Sequence, residues 1–343
     1  MGCRIIHPSD KTGRLTDRGY RPDAAGRSKG WRVLGDGEYA RWTGPPLASD
    51  LFRRVRGLSW RYFTDGETAM HLLSEMLTYQ RPAHSPSERA FIRRFLDQVP
   101  GMVRDDFGNR WLRIGARPTT LFCAHTDSVH ATAGRQRLRE DRRTRRFYKD
   151  DGQPLGADDA TGCWLLLQLI AHGVPGLYVF HREEETGGDG SDWIARETPG
   201  VLAGIERAIA FDRRGTGDVI THQCRVRTCS TDFAQALAAQ LGLGFAPCAE
   251  GVFTDTAHYA GLIPECTNLS IGYEHAHTGM EYQDYGFLEY LLPALLRVEW
   301  AALPVERVCA PFSRRAGFAD RLTSADWLAG LGSAPPAERL AVA

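Results

Sequence analysis

Apolar residues recur at helical spacing from residue 67 onwards, where the chain first becomes periodic. Five apolar side chains would share one face of a helix over residues 67–80. They are Met70, Leu72, Leu73, Met76 and Leu77. A second helix is predicted from Ser85, because serine is a favoured N-cap residue and Pro86 suits the first helical position. Two helices therefore precede the first predicted strand.

Short apolar runs follow, and each has the length of a strand. The predicted strands cover residues 111–114, 119–124, 177–180, 208–211 and 268–271. Residues 161–170, with the sequence TGCWLLLQLI, are long enough for a core helix. Strands that alternate with helices are typical of parallel pairing with helices on both faces. The predicted fold class is α/β, with a mixed, mostly parallel sheet sandwiched between helices.

The same pattern divides the chain into three parts. Residues 1–66 are rich in Gly, Arg, Asp and Pro without periodicity, which predicts an irregular extension with at most short elements. Residues 67–310 carry the periodic segments and form the predicted domain. Residues 311–343 are polar and small, as expected of a C-terminal tail. Residues 135–149 hold an arginine-rich run interleaved with acids, which favours a solvated hairpin over a surface for acidic partners.

Composition and charge narrow the classes of function. The 343 residues carry 42 basic and 42 acidic side chains, a formal net charge of zero. No nucleic-acid partner is expected, because binding to phosphates usually needs a surplus of positive charge. No window approaches the roughly 18 apolar residues of a membrane span, so no membrane partner is expected. The N-terminal residues lack the apolar core of a secretion signal, and a cytoplasmic location is the expectation.

Acidic and histidine side chains stand directly after the predicted strands. Ligand sites in open α/β sheets form at the carboxyl ends of strands, so these side chains are expected to meet at one edge. One further carboxylate, Asp158, precedes the core helix, where the helix dipole favours a negative charge. The candidate residues are His125, Asp127, Asp158, Glu184, Glu185, Asp212 and His277.

This set of donors suits two divalent metal ions held close together. Such a pair needs about two imidazoles, two terminal carboxylates and one carboxylate that bridges both ions. A further carboxylate must stay free to take a proton from the attacking water. The adjacent Glu184 and Glu185 could divide these tasks, one as a ligand and one as the base. Burying so many acids without compensating cations would be costly.

Five motifs carry these residues in the order AHTD, GADDATG, EEETGG, AFDRRG and HTGMEY. Together they resemble the co-catalytic zinc exopeptidase superfamily. That superfamily includes bacterial zinc aminopeptidases, the tripeptidase peptidase T, carboxypeptidase G and acetylornithine deacetylase. The resemblance extends over residues 65–300 and identifies residues 67–310 as a catalytic zinc-hydrolase domain.

The resemblance implies a role for each candidate residue. The two implied ligand sets are His125, Asp158 and Asp212 for one ion, and Asp158, Glu185 and His277 for the other. Asp158 would bridge the two ions. Glu184 would be the general base. Asp127 would orient the His125 ring and fix its tautomer.

Two register choices rest on the same resemblance. In the superfamily the base and the ligand are followed by one residue and then glycine, so Gly187 selects the last two glutamates and excludes Glu183. The final histidine ligand is followed four positions on by an acid, which fits His277 with Glu281 and does not fit His275. The sequence departs from many members at Ala160, where they carry lysine.

Chain length bears on the subfamily. Carboxypeptidase-like members insert a lid or dimerisation domain between the equivalents of Asp212 and His277, but only 64 residues separate these positions here. We therefore expect no inserted lid domain and a closer resemblance to single-domain aminopeptidases. The expected function is hydrolysis of a peptide or peptide-like amide, with two divalent ions as cofactors. Zinc is the first choice of metal, and cobalt and manganese accept the same ligands.

Three alternatives stay open at this point. The substrate could be a small peptide with a free amino terminus, or an N-acyl amino acid cleaved by an amidohydrolase, deacylase or carboxypeptidase. The chain could also be a non-catalytic binding module with the same fold. Asp255 either contacts substrate or holds a turn, and His181 and His275 are interpreted as supporting or surface groups. The sequence does not predict the oligomeric state.

Overall fold

The computed structural model describes residues 30–34, 38–42 and 66–309. The chain forms two units, residues 1–49 and residues 50–343. In the first unit, strands β1 (Gly30–Leu34) and β2 (Glu38–Trp42) pair antiparallel. These strands lie in the segment predicted to hold at most short elements. The predicted tail, residues 311–343, lies outside the described residues, so the three-part division stays a prediction.

The second unit alternates helices and strands, as the sequence predicts. Its α-helices within the described residues are α1 (Gly66–Met76), α2 (Pro86–Phe91), α3 (Ala157–Ala171), α4 (Asp189–Glu197), α5 (Thr231–Leu241), α6 (Thr256–Tyr259) and α7 (Tyr285–Leu295). A π-helical turn, Ile92–Leu96, follows α2, and 3-10 turns lie at Pro199–Leu202 and Trp300–Ala302. No helix among the described residues is both long and apolar enough to cross a membrane.

The strands of this unit fall into one large sheet and three small ones. The large sheet contains β4 (Val103–Arg104), β5 (Arg110–Ile114), β6 (Thr120–His125), β10 (Gly176–His181), β11 (Arg207–Arg213), β12 (Asp218–Ile220), β15 (Ala246–Cys248) and β16 (Glu265–Ser270). The small sheets use β3 (Tyr79–Gln80), β7 (Gly134–Arg135), β8 (Arg139–Asp141), β9 (Arg146–Tyr148), β13 (His222–Gln223), β14 (Val226–Arg227), β17 (Tyr273–Glu274) and β18 (Tyr282–Asp284).

The large sheet has eight strands in the order β15-β12-β16-β11-β6-β10-β5-β4. Its centre is parallel, since β6 pairs in parallel with β10 and β11, and β11 pairs in parallel with β16. Antiparallel pairs lie towards both edges, between β5 and β10, β4 and β5, and β12 and β16. The predicted mixed, mostly parallel sheet is confirmed.

Helices cover both faces of this sheet, because the side chains of the central strands are apolar on both faces. Along β6, Phe122 and Ala124 pack into one apolar cluster with α1, α2, α3, α5 and α7, while Leu121 and Cys123 pack into another with α4 and α6. Successive strand residues point to opposite faces, so a strand buried on both sides must be apolar throughout. This is why residues 121–124, with the sequence LFCA, form an uninterrupted apolar run.

Helix α3 packs against the sheet and begins four residues earlier than predicted, with a kink at Asp158 and Asp159, whose backbone angles are non-helical. All its residues from Ala157 to Ile170 are buried. Gly162 permits the close approach, because a β-carbon at this position would collide with the Phe211 carbonyl oxygen and the Asp159 carboxylate. Helices α4, α5, α6 and α7 were not predicted from the sequence. Helix α7 contains Pro293, which obscures its helical pattern.

The arginine-rich segment forms the predicted hairpin. Strands β8 and β9 pair antiparallel, and β9 pairs on its other side with β18. Arg139 forms an ion pair with Asp150 at 2.9 Å, and more than half of each of these side chains is exposed. An exposed pair of this kind contributes little to stability. The hairpin adds two strands, β8 and β9, to a small sheet.

A buried histidine lies between β6 and this hairpin. The Nδ1 atom of His130 accepts a hydrogen bond from the Ser128 hydroxyl at 2.7 Å, and its Nε2 atom lies 3.0 Å from the Pro154 carbonyl oxygen. Burial, and then the positive charges of Arg81 and Lys149, lower the pKa of His130 to about 4. The ring is therefore neutral in the folded protein at neutral pH.

This arrangement predicts a specific loss of stability in acid. The ordinary histidine pKa is about 6.5, and that of His130 in the folded protein is about 4. At a pH between these two values, the unfolded chain binds a proton at this histidine and the folded chain does not. The free energy of unfolding should therefore fall by about 3 kcal/mol between pH 7 and pH 4 through this residue alone. Chemical unfolding of the wild type and of His130→Gln across this range measures it. Parallel stability profiles for the two proteins would contradict the expectation.

Candidate metal centre

The residues predicted from the sequence come from five segments at one edge of the large sheet. His125 ends β6, and Asp212 lies near the end of β11. Glu184 and Glu185 follow β10, while His277 lies in the loop between β17 and β18. Asp158 lies at the start of α3 in a non-helical conformation. The parallel pairing of β6 with β10 and β11 brings the ends of these strands together.

The first group of possible ligands is His125, Asp158 and Asp212. The His125 Nε2 atom lies 3.0 Å from Asp158 Oδ1 and 3.5 Å from Asp212 Oδ1. The second group is Asp158, Glu185 and His277. In each group one donor atom from every residue lies within 4.8 Å of the others.

Asp158 belongs to both groups and turns one oxygen towards each. Its Oδ2 atom lies 3.1 Å from His277 Nε2, and that nitrogen lies 3.2 Å from Glu185 Oε2. The structure thus brings the five predicted ligands together in the two predicted sets. Whether they bind metal stays a prediction.

Glu184 lies beside the two groups but belongs to neither. Its Oε2 atom is 3.9 Å from His125 Nε2. Glu183 turns away instead and pairs with His84 at 3.2 Å. This geometry supports the register in which the second glutamate is the base and the third is the ligand.

Asp127 connects the first histidine to the glutamate pair. Its Oδ1 atom lies 3.5 Å from His125 Nδ1. The same carboxylate accepts hydrogen bonds from the backbone N–H groups of Glu184 at 3.2 Å and Glu185 at 3.1 Å. Asp127 is fully buried, and this one acid lies against the imidazole ring and accepts hydrogen bonds from the segment that carries Glu184 and Glu185.

Three further residues hold Asp212, and sequence reasoning missed their contribution. Thr254 donates a hydrogen bond to Asp212 Oδ2 at 2.7 Å, and the Tyr273 hydroxyl donates to Oδ1 at 3.2 Å. The Asn268 side chain accepts from the Asp212 amide and donates to its carbonyl oxygen. These bonds link residues 42 to 61 positions apart, so no local sequence signal could have indicated them.

Two acids orient the Asp158 segment. Glu281 accepts hydrogen bonds from the backbone N–H groups of Leu155, Gly156 and Asp158 at 2.8, 3.0 and 3.2 Å. Asp159 accepts the backbone N–H of His125 at 3.0 Å. From the sequence, Glu281 was only the acid four residues after the predicted ligand His277. The structure gives the physical reason for an acid there.

Asp255 lies beneath the site rather than on its surface. It is 1% exposed and pairs through Oδ2 with His181 Nδ1 at 2.9 Å. On its other side the His181 ring contacts the Tyr259 hydroxyl at 2.6 Å. His181 is therefore a buried supporting group. His275 instead lies in the loop beside Tyr282, with 6.0 Å between ring centroids.

The pKa values of the cluster are shifted because several acids are buried close together. Burial raises the pKa of Glu184 well above its ordinary value. Burial, and then the Asp158 charge, raise the pKa of Glu185 to about 7 and that of Asp212 to about 6. Hydrogen bonds to Asp158 and Glu185 raise the pKa of His277 to about 11. The cluster favours added positive charge.

The donor set fits divalent cations. It consists of two imidazole nitrogens and carboxylate oxygens, which are ligands that zinc and similar metals accept. The Glu185 Oε1 atom is buried and has no hydrogen-bond partner. A buried carboxylate oxygen without a partner is costly, and a bound cation would satisfy it.

Metal content distinguishes Glu185 from Glu183 as the metal ligand. Glu185→Gln should lower the content from about two ions per chain towards one, because a carboxylate ligand of one set is lost. Glu183→Gln is the matched control and should retain both ions, since its carboxylate pairs with His84. Elemental analysis of the purified variants measures this. Retention in Glu185→Gln together with loss in Glu183→Gln would show that the register is wrong.

Comparisons with known proteins support the fold. The sequence matches no protein-family model and no curated protein. The structure resembles the aminopeptidase PepT of Bacillus cereus, with a TM-score of 0.56 and 14% identity, over 68% of this chain and 97% of that chain. A tripeptidase of Staphylococcus aureus gives 0.55 and 15%, over 69% and 98%. A TET aminopeptidase of a marine sediment thaumarchaeote gives 0.51 and 13%, over 68% and 97%.

These similarities define the class of fold. The second unit shares its α/β fold with these solved aminopeptidase and tripeptidase structures. Identities of 13–15% describe architecture and leave the chemistry to the site itself.

Proposed function

We propose that this protein is a two-metal hydrolase that removes residues from the amino terminus of short peptides. The observation that carries the proposal is the position of Asp158, which turns one carboxylate oxygen to each of two ligand groups. Glu184 lies just outside both groups, where a general base is needed. The similar structures are those of an aminopeptidase and a tripeptidase, which agrees with this reaction.

The proposed ligands are His125, Asp158 and Asp212 for one ion and Asp158, Glu185 and His277 for the other. When bound, two divalent cations would supply Lewis-acid activation of a water molecule and of the scissile carbonyl. Glu184 would take the proton that water gives up and return it to the leaving amine. Its burial suits this task, since a raised pKa makes the carboxylate a stronger base.

Asp127 would act by positioning. It orients the His125 ring from one side and holds the backbone of Glu184 and Glu185 from the other. A ligand histidine that contacts a carboxylate through its second nitrogen is held in one tautomer and one orientation. The base and the first metal ligand would therefore keep a constant relative position.

The preference for a free amino terminus rests on acids in three loops, residues 188–193, 253–258 and 273–285. A substrate ammonium group needs an acceptor near the metals. Asp255 and Glu281 are already paired with His181 and with backbone amides, and Asp192 pairs with Arg196. Asp189 and Glu274 form no ion pair within the described residues, so we propose one of these two as the acceptor.

Removal of metal tests the proposal directly. Dialysis against a chelator should abolish peptide hydrolysis while the secondary structure is retained, because the fold has an apolar core of its own. Re-addition of zinc, cobalt or manganese should restore activity in proportion to the metal bound, and the most active ion indicates the preferred cofactor. Full activity in protein shown by elemental analysis to be free of metal would refute the two-metal proposal.

A further inference from the structure

A second concave site lies beside the proposed metal centre and is lined by arginines. It is a pocket of about 220 Å³ between α2, the π-helical turn and strands β4 and β5. Five of its lining side chains are guanidinium groups, against a single carboxylate, that of Asp97. The arginines of this arginine pocket are Arg89, Arg93, Arg104, Arg110 and Arg182.

Two of these arginines are fixed by acids. Arg110 pairs with Asp97 at 2.6 Å, and Arg182 forms two bonds to Glu88 at 2.9 and 2.7 Å. Their side chains are only 11% and 13% exposed. They form a rigid wall of the pocket, because the bidentate geometry holds each guanidinium plane.

The other three arginines keep their charge available. Arg89, Arg93 and Arg104 are exposed, and none pairs with a carboxylate within the described residues. Two arginines with compensated charge, together with three that have no carboxylate partner in the described part of the chain, leave the pocket with an excess of positive charge. A concave surface of one sign concentrates the field and attracts ions of opposite charge.

The pocket depends on a glycine at its base. Gly108 has a φ of +114°, and a β-carbon there would lie 3.1 Å from the Arg182 Nη1 atom. The Gly108 carbonyl oxygen accepts a bond from Arg110. A side chain at position 108 would therefore strain the backbone and displace a guanidinium group.

The pocket lies at the same edge of the sheet as the metal centre. Arg110 begins β5 opposite Phe180 of β10, and His181 of β10 lies beside His125 of β6. Neighbouring strands are about 4.8 Å apart, so β5 lies about 10 Å from β6. Arg182 is also only two residues from Glu184 along the chain.

We infer that the arginine pocket binds an oxyanion, either a carboxylate or a phosphate group, carried by a small ligand. Guanidinium forks match the paired oxygens of both groups. The inference does not depend on the proposed peptidase activity, because it rests on residues outside both ligand sets.

Calorimetric titration with inorganic phosphate and with glutarate, at constant ionic strength, tests the inference on the metal-loaded protein. We expect at least one of the two anions to bind saturably. The double variant Arg93→Gln/Arg104→Gln should weaken that binding by at least about tenfold, since hydrogen bonds to charged groups are worth roughly 1.5–3 kcal/mol each. Both arginines are exposed, so the fold should be retained.

The control is Arg137→Gln, an exposed arginine outside the pocket, which should bind within about twofold of wild type. Stronger binding of phosphate would identify a phosphate-bearing ligand, and stronger binding of glutarate a carboxylate-bearing one. Anions attached only to the metal ions would bind equally to wild type and to the double variant. That result, or the absence of saturable binding, would overturn the inference. Because no step requires hydrolysis, failure here is distinct from failure of the proposed function.

Discussion

Glu184→Gln is expected to lower turnover by about 10² to 10⁴-fold while the protein keeps about two metal ions per chain. Glutamine has nearly the same shape but cannot take a proton from water. Glu184 belongs to neither ligand group, so its amide should leave metal binding intact. Steady-state kinetics on an unblocked peptide, with elemental analysis of the same sample, measures both quantities.

The metal content decides how this result is interpreted. If Glu184→Gln loses an ion together with activity, the ligand role belongs to Glu184. If it keeps both ions and normal turnover, the base must be another group. Glu183→Gln is the matched control within the same run of glutamates and should remain active, because Glu183 points towards His84.

Acetylation of the substrate's amino terminus is expected to abolish cleavage of a peptide that is hydrolysed when unblocked. The acetyl group removes the positive charge that an acid at the site would bind, and it adds bulk near the metals. Loss of a charge-assisted interaction alone is worth roughly 1.5–3 kcal/mol, or about 10- to 100-fold in kcat/KM. Comparison of one peptide in its free and acetylated forms measures the effect.

The opposite preference would identify a different enzyme at the same metal centre. Faster cleavage of the acetylated form would indicate a deacylase or carboxypeptidase that recognises the carboxylate of an N-acyl amino acid. The three loops contain no arginine or lysine, and this favours the aminopeptidase. The two largely buried arginines at the same sheet edge do not change this, because Arg110 is paired with Asp97 and Arg182 with Glu88.

Much of the fold could be predicted because its central elements have strong local patterns. The run LFCA is apolar at every position since β6 is buried on both faces, and TGCWLLLQLI belongs to a helix buried almost throughout. Helices α5 and α7 were missed for the opposite reason. In α5 the apolar residues are mixed with polar ones, and in α7 a proline interrupts a largely apolar segment.

The candidate ligands could be chosen from the sequence because each follows a recognisable strand or begins a helix. The sequence alone determined the fold class and the order of the five motifs, and the family resemblance led to the prediction that Glu184 and Glu185 are the base and a ligand. Only the tertiary structure showed that Asp158 faces two groups at once, that Glu281 holds the Asp158 segment, and that five arginines converge on one pocket. The physical reason is distance along the chain. Glu281 and Asp158 are 123 residues apart, and such contacts are set by strand pairing and burial rather than by local periodicity.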